Sequence, residues 1–537
     1  MTTTIEQLPR MASVREVTME LLRDLGMTTI FGNPGSTELK FMKNWPDDFR
    51  YVMGLHEGCS VGMADAYAQV TGNAAFVNLH SAGGVGNAMG LLYTAFRNQA
   101  PLVVIAGQQT RAMLPTEPFL FAQDATTLPR PYVKWSIEPA RAQDVPAAIA
   151  RAYYIAMLRP LGPAFVSVPE DDWDAPINAL AVRKLYPDFR PDPAAIDALA
   201  AAFRASRAPA IVVGSGVDRD GAVDAVVRLA ERTSAMVWAS ALASRCNFPE
   251  THPLFAGALP RIRTGVVDRL RDTDLVVVLG APVFNYHIHA EGPFIAPGTT
   301  VFQLTDDPNT ASFAAVGTSI ITTIAPAVEQ LLALLPASAA PPRATPAPRA
   351  RPKVAASDPM SVEYVLQSIG ETMPADAIIA EEAPATHTVL HDYLPIRAGA
   401  FFTAASGSLG YGLPAAIGVA LAEPGRRVIA LLGDGSSYYS IQALWTAAQQ
   451  RLPITFLIVN NGGYGAMRSF SKLLKSDRSP SFDIDGIDFA SIAKGFGCAA
   501  MRAARADELV PVLEQSYRSD GPVVVDILID SAIKPLT

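Results

Sequence analysis

The stretch Val428-Ile429-Ala430-Leu431-Leu432-Gly433-Asp434-Gly435-Ser436 decides the fold. Its unbroken apolar run, closed by glycine, reads as a strand buried on both faces, the habit of a parallel sheet covered by helices. After 24 residues beyond Gly435 comes Asn460-Asn461-Gly462-Gly463-Tyr464-Gly465, which ends a second buried run from Ile454 to Val459. Two neighbouring parallel strands therefore deliver a carboxylate, Asp434, and an amide, Asn461, to one sheet edge. The glycines around them let backbone N–H groups approach an anion closely. Hard oxygens of this kind suit Mg²⁺, which takes a few protein oxygens together with phosphate oxygens. A clamp for a diphosphate and a divalent cation is the expected chemistry.

Working outward, Ala377–Ala380 and Val523–Leu528 read as further strands of the same unit, with helices between. The N-terminal part repeats the alternation. Ser13 and Glu16 form a capping box for a helix whose face carries Val14, Val17, Leu21, Leu22 and Leu25 and which stops at Gly26. Strands are expected at Thr28–Phe31, Tyr51–Leu55, Ala75–Leu79 and Leu102–Ala106. A middle unit has a helix at Ile196–Phe203, a buried strand at Ala210–Val213 running into Gly214-Ser215-Gly216, and another strand at Leu275–Leu279. From Pro336 to Pro352 there are six prolines, six alanines, three arginines and no acid, the composition of an extended linker. The expected architecture is α/β, with three doubly wound parallel-sheet domains: residues 1–185 with a flexible first ten, 190–335, and 358–537 after a linker at 336–357.

Composition narrows the function. Across 537 residues, 43 Lys+Arg against 51 Asp+Glu give a net charge of −8, and no basic tract could follow a nucleic-acid backbone. The N-terminal stretch lacks the basic start and apolar core of a secretory signal, and no run reaches the roughly 18 apolar residues of a membrane helix. A cytoplasmic enzyme with neither nucleic-acid nor membrane partners is expected. Cys59, Cys246 and Cys498 are too dispersed for a disulfide framework or a CxxC site. His387 and His391 are four apart, but no third ligand accompanies them, so zinc is not expected. Neither Gly84-Val85-Gly86 nor Gly214-Ser215-Gly216 completes a dinucleotide fingerprint.

The GDG and NN pair, with its spacing and three-unit order, resembles the thiamine diphosphate-dependent decarboxylase superfamily. Phe31-Gly32-Asn33-Pro34-Gly35-Ser36, Asn78-Leu79-His80-Ser81-Ala82, Gly107-Gln108-Gln109-Thr110-Arg111-Ala112-Met113 and Ala281-Pro282-Val283-Phe284 bring it nearest the benzoylformate decarboxylase branch. The resemblance implies pyrimidine-binding, central and diphosphate-binding domains in that order. It implies thiamine diphosphate held by Glu57, Gly407, Leu409, Gly433, Asp434, Gly435, Ser436, Asn461, Tyr464 and Gly465. It further implies Mg²⁺ or Ca²⁺ on Asp434, Asn461 and Gly463. Glu57 would bond the pyrimidine and let the cofactor act as its own base, Ser36 would hold the substrate carboxylate, and His80 and His287 would relay protons. Leu409 would support the bent cofactor.

Without the resemblance, His80 is a fair site candidate because it ends a buried strand, whereas His287, in an aromatic stretch, reads as a packed histidine. The substrate pocket implied by the resemblance comprises Leu120, Pro384, Ala466, Ser469 and Phe470. Two of these depart from the family pattern: Pro384 stands where a threonine is expected and Ser469 where a tryptophan is expected. A small-molecule 2-oxoacid is the implied partner, benzoylformate first, in a homodimer doubled to a tetramer. The alternatives are a carboligase resembling acetolactate synthase, a decarboxylase of another aryl or branched 2-oxoacid, and a non-catalytic cofactor-binding protein.

Overall fold

The computed structural model describes residues 11–337, 350–476, 480–484 and 486–532. The expected N-terminal extension and most of the Pro/Ala-rich linker lie outside them. The chain forms two compact units that divide at Pro187 and Asp188.

The first unit holds a six-stranded parallel sheet of Thr29–Gly32 (β1), Arg50–Met53 (β2), Ala75–Leu79 (β3), Leu102–Gln108 (β4), Trp135–Ile137 (β5) and Ala164–Pro169 (β6), in the order β2-β1-β3-β4-β6-β5. Every residue of β3 and β4 is buried, as continuous apolar runs require when helices cover both faces. Helix α1 (Val14–Asp24) starts at the expected capping box: the Glu16 amide donates to Ser13 Oγ (3.3 Å) and the Ser13 amide to Glu16 Oε2 (2.8 Å). Its apolar face joins Phe41, Phe76 and Trp173 in one core. The strand expected to run to Leu55 ends at Met53. Gly54 and Leu55 belong to the turn into α2 (Glu57–Thr71). Helix α3 (Ser81–Asn98) follows β3.

The second unit carries two sheets. One comprises Pro209–Val213 (β7), Met236–Ala239 (β8), Phe255–Ala258 (β9), Leu275–Leu279 (β10), Thr300–Thr305 (β11) and Thr318–Ile321 (β12), ordered β9-β8-β7-β10-β11-β12, the doubly wound arrangement of a dinucleotide-binding sheet. Its glycine turn is a packing device. A Cβ on Gly214 would lie 2.4 Å from Ala281 Cβ, so the turn closes on the neighbouring strand end and leaves no phosphate cradle. The other sheet comprises Ile378–Glu382 (β13), Phe401–Thr403 (β14), Val428–Gly433 (β15), Ile454–Asn460 (β16), Ala499–Ala503 (β17) and Val523–Leu528 (β18), ordered β14-β13-β15-β16-β18-β17. This is the order of the first sheet, strand for strand. The expected strand Ala377–Ala380 extends through Glu381 and Glu382, two carboxylates that an apolar run does not announce. The two sheets of this unit are joined directly: the Thr403 amide donates to Ser244 O (2.9 Å), and Asp218 takes Arg245 Nη1 (2.9 Å) and the Gly399 amide (3.1 Å). Among the described residues no helix is long and apolar enough to cross a membrane.

Candidate active site

The GDG and NN segments meet where their spacing places them. Strands β15 and β16 pair in parallel, with Gly433 opposite Val459, so Asp434 and Asn461 leave adjacent strand ends. Asp434 Oδ2 accepts the Gly463 amide at 2.7 Å. Burial pushes the Asp434 carboxyl above its usual range, against the N–H groups of Gly435 and Gly463. Asn461 Oδ1 is buried with no hydrogen-bond partner. A buried acceptor left unmet costs about 1–3 kcal/mol, which a cation would recover. The floor is glycine for steric reasons. A Cβ on Gly435 would lie 2.7 Å from the Tyr464 ring, and one on Gly465 would lie 2.5 Å from Asn461 Nδ2. One carboxylate, one free amide oxygen and exposed backbone fit a diphosphate with a hard divalent cation, and no cluster of three His, Cys, Asp or Glu among the described residues offers a rival metal site. The first Asn of the pair is structural: Asn460 Nδ2 donates to Asp526 Oδ1 (2.9 Å).

These groups border a cavity of about 410 Å³ that also reaches Gly407, Leu409 and Ser436. Gly407 has φ +75°, a left-handed conformation that glycine alone adopts freely. Under the cavity, β13 ends in two carboxylates with opposite surroundings. Glu382 accepts the amides of Gly410 (2.7 Å), Tyr411 (3.1 Å) and Gly412 (3.0 Å) at the start of Gly412–Ala422, yet complete burial pushes it up to about 8. Glu381 is drawn down to about 2 despite burial, because His387, Thr403 Oγ1 and the Ala383 amide all serve it. His387 and His391 share the short helix His387–Tyr393, as their spacing allows, but each ring bonds a carboxylate, Glu381 (3.0 Å) and Glu250 (2.8 Å), and they hold no metal set.

The far wall comes from the loop after β10. His287 packs edge-on against Phe470, with ring centroids 4.8 Å apart. Pro384, Ala466, Met467 and Phe470 line the cavity there. Ser469 does not. It sits on the helix Gly465–Leu473, buried, with its hydroxyl returned to Gly465 O (3.2 Å), so its neighbour Phe470 and not Ser469 faces the cavity. The resemblance placed Ser469 in the substrate pocket, but it is not among the residues that line this cavity.

Ser36, Glu57, His80 and Leu120 belong to the first unit. Ser36 follows β1, Glu57 follows β2 and His80 follows β3, all at the carboxyl edge of the sheet where doubly wound folds place their sites. Glu57 is buried in the first turn of α2 and accepts Asn87 Nδ2 from α3 at 3.1 Å. His80 Nδ1 lies 2.9 Å from Glu38 Oε2 and 3.2 Å from Thr37 Oγ1. Glu38 is itself fixed by the Gly35 amide (2.7 Å), Thr37 Oγ1 (2.7 Å) and the Gly107 amide (2.9 Å). Leu120 is exposed to no such network; its carbonyl accepts Ser81 Oγ (2.8 Å). The sequence reading missed Glu38, Asn87, Glu381 and Glu382. Their only sequence signal is an acid or amide beside a buried strand or helix start.

Comparison with known proteins agrees with this geometry. Residues 12–126 match the thiamine pyrophosphate enzyme N-terminal TPP binding domain, 196–331 the central domain and 385–527 the C-terminal TPP binding domain. The chain is 44% identical over 523 residues to a benzoylformate decarboxylase from Pseudomonas aeruginosa, covering 96% of this chain and 99% of that one. It superposes on the crystal structure of a benzoylformate decarboxylase from Polynucleobacter necessarius with a TM-score of 0.96 at 38% identity, covering 98% and 100% of the two chains. A thiamine diphosphate-dependent 4-hydroxybenzoylformate decarboxylase from Rhodococcus jostii gives a TM-score of 0.93 at 39% identity, with 97% and 100% covered.

Proposed function

Because the chain belongs to the thiamine diphosphate-dependent enzymes of the benzoylformate decarboxylase family, we propose that it decarboxylates an aryl 2-oxoacid, benzoylformate first, to the aromatic aldehyde and CO₂. The observation that carries the proposal is the buried, unpartnered Asn461 Oδ1 beside Asp434 at the edge of a cavity whose far wall is the His287–Phe470 pair. Thiamine diphosphate, when bound, supplies the carbon nucleophile and the electron sink that loss of CO₂ requires.

The protein's own residues do the rest. Asp434, Asn461 and the Gly463 carbonyl would hold Mg²⁺ or Ca²⁺, and backbone at Gly433, Gly435, Ser436, Tyr464 and Gly465 would receive the diphosphate. Gly407 and Leu409 would hold the cofactor's rings in their bent arrangement. Glu57, oriented by Asn87, would hydrogen-bond the pyrimidine and relay a proton there. Ser36 would orient the substrate carboxylate. His80, aligned by Glu38, and His287, braced by Phe470, would donate and accept protons at the substrate oxygen and the carbon left by CO₂. Leu120, Pro384, Ala466 and Phe470 would form an apolar seat for the ring. The minimal active unit is proposed as a homodimer, doubled to a tetramer, in which two copies jointly hold each cofactor.

The test is a substrate panel on the full chain with thiamine diphosphate and Mg²⁺, following CO₂ and aldehyde from benzoylformate, 4-hydroxybenzoylformate, 3-methyl-2-oxobutanoate and pyruvate. Aryl substrates are expected to lead in kcat/KM by at least ~10-fold. Pyruvate in first place, or a condensation product in place of aldehyde, would overturn the proposal.

A further inference from the structure

Arg261 follows β9, and its carbonyl accepts the amides of His287 (2.9 Å) and Ile288 (3.2 Å), so its backbone is tied to the segment that carries His287. Its side chain lines the cavity described above and also a second cavity of about 220 Å³, on a wall it shares with Ala243 and His387. Among the described residues its guanidinium makes no hydrogen bond or ion pair. The counter-charge that acts on it is Glu381, whose oxygens are already taken by the Ala383 amide (2.6 Å), His387 Nδ1 (3.0 Å) and Thr403 Oγ1 (2.7 Å). An arginine stays protonated in proteins, so its N–H donors, which have no protein acceptor among the described residues, are open to an acceptor on whatever occupies the cavity that Arg261 lines.

Two neighbouring hydroxyls are already committed to backbone carbonyls. Thr386 Oγ1 donates to Ala383 O (3.0 Å), and Ser436 Oγ donates to Glu382 O (2.6 Å) with Gly433 O at 3.0 Å. Pro384 has no N–H and Ala385 presents a methyl group.

We propose that Arg261 anchors an anion subsite on this shared wall, taking an anionic oxygen group, phosphoryl or carboxylate, of the molecule that fills the cavity. The inference rests on the reading of that cavity as the cofactor and substrate site. Two sources carry this chemistry: the diphosphate of the cofactor, or a second acid group on the ring of the substrate. The carboxylate that leaves as CO₂ is not a third. A guanidinium bonded to it would stabilise the ground state above the transition state, where that charge moves away.

The experiment uses the full chain with Arg261→Met and Arg261→Lys. Three quantities are read: the unfolding temperature without ligand, the Kd of thiamine diphosphate with Mg²⁺ against that of thiamine, and kcat/KM for benzoylformate against 4-carboxybenzoylformate at saturating cofactor. Arg261→Met without ligand is expected to be at least as stable as the native chain, because it removes a desolvated, unpaired charge; a structural arginine would cost stability. If the diphosphate is the source, the thiamine diphosphate Kd rises at least 10-fold, the thiamine Kd is unchanged, and Arg261→Lys recovers part of the loss. If a ring acid is the source, both Kd values stay within 2-fold and the preference for the carboxylated substrate falls at least 10-fold. Unchanged discrimination in both arms overturns the proposal, as does equal destabilisation by Met and Lys. Should the native chain turn over no aryl 2-oxoacid while Arg261→Met still loses diphosphate discrimination, the proposed activity fails and the subsite stands.

Discussion

The sheet of the first unit and the later sheet of the second unit share one strand order but present different edges. In each, the first and third strands lie side by side, so the loops that leave them open a crevice at the carboxyl end. In the first unit His80 closes against Gly35, where an added Cβ would lie 2.1 Å from the ring. In the later sheet the Ser436 hydroxyl bonds the Glu382 carbonyl across the same gap (2.6 Å). The first crevice presents titratable side chains, His80 against Glu38 and Glu57 one strand away, which the proposed function uses for proton transfer. The second presents a glycine floor, one carboxylate and an unpaired amide oxygen. Topology selects which loops meet, and the residues at the strand ends decide whether the meeting place moves protons or holds charge.

The largest effect should come from breaking the charge-holding edge. Asp434→Ala is expected to abolish retention of thiamine diphosphate and Mg²⁺ through gel filtration, and activity with it, because the one carboxylate of the clamp is gone. Breaking the proton-moving edge should separate binding from chemistry. Glu57→Gln is expected to keep the cofactor Kd within about 3-fold while kcat falls roughly 10²–10⁴-fold. Equal losses of cofactor affinity in the two variants would erase the division of labour.

A third test sets neighbours on one strand against each other. Glu381 is lowered to about 2, so the stability it contributes is present above the ordinary carboxylate range near 4.5 and is lost as pH falls from there through 2. Glu382 is raised to about 8, so its contribution is complete below 4.5 and fades as pH climbs through 8. Glu381→Gln should therefore flatten the acid side of the stability profile by about 3 kcal/mol, and Glu382→Gln the neutral to alkaline side. Urea denaturation at a series of pH values reads both, and slopes of the same sign would contradict the assignment.

The smallest effect is expected at Ser469. Since it lies off the cavity wall, Ser469→Ala should change the ratio of aryl to aliphatic kcat/KM by less than about 2-fold and stability by about 0.5–1.5 kcal/mol, the worth of a hydrogen bond such as that to Gly465. A shift in substrate preference comparable to that of Phe470→Ala would return it to the pocket.

Much of this site was legible because glycine and chemistry coincide. Asp434 stands between two glycines at the end of an apolar run, and Asn461 ends the next one, so local pattern alone set them on one edge. His80 was legible as a titratable residue ending a buried strand, whereas Glu57 was reached only through the family resemblance. Glu381 and Glu382 were not, since a carboxylate inside a buried strand runs against the hydrophobic pattern, and only partners such as Thr403, His387 and the Gly410–Gly412 amides make it tolerable. The contact of His287 with Phe470, and the isolation of Arg261, depend on which loops two separate sheets bring together. No period or spacing encodes that.

No sheet borrows a strand from another: every strand of the first lies between Thr29 and Pro169, and every strand of the last between Ile378 and Leu528. On the ribosome this has a temporal meaning. Once residues to Pro187 have been joined, the first sheet has all its hydrogen-bonding partners, while the 350 residues from Asp188 to Thr537 are still to be added. At roughly 5–20 residues per second that interval is about 20–70 s, long against the folding of an α/β domain. The nascent chain can thus bury its first core, with Glu57 and His80 set in place, well before Asp434 exists, and an interrupted translation product would be a compact protein with no clamp for the diphosphate.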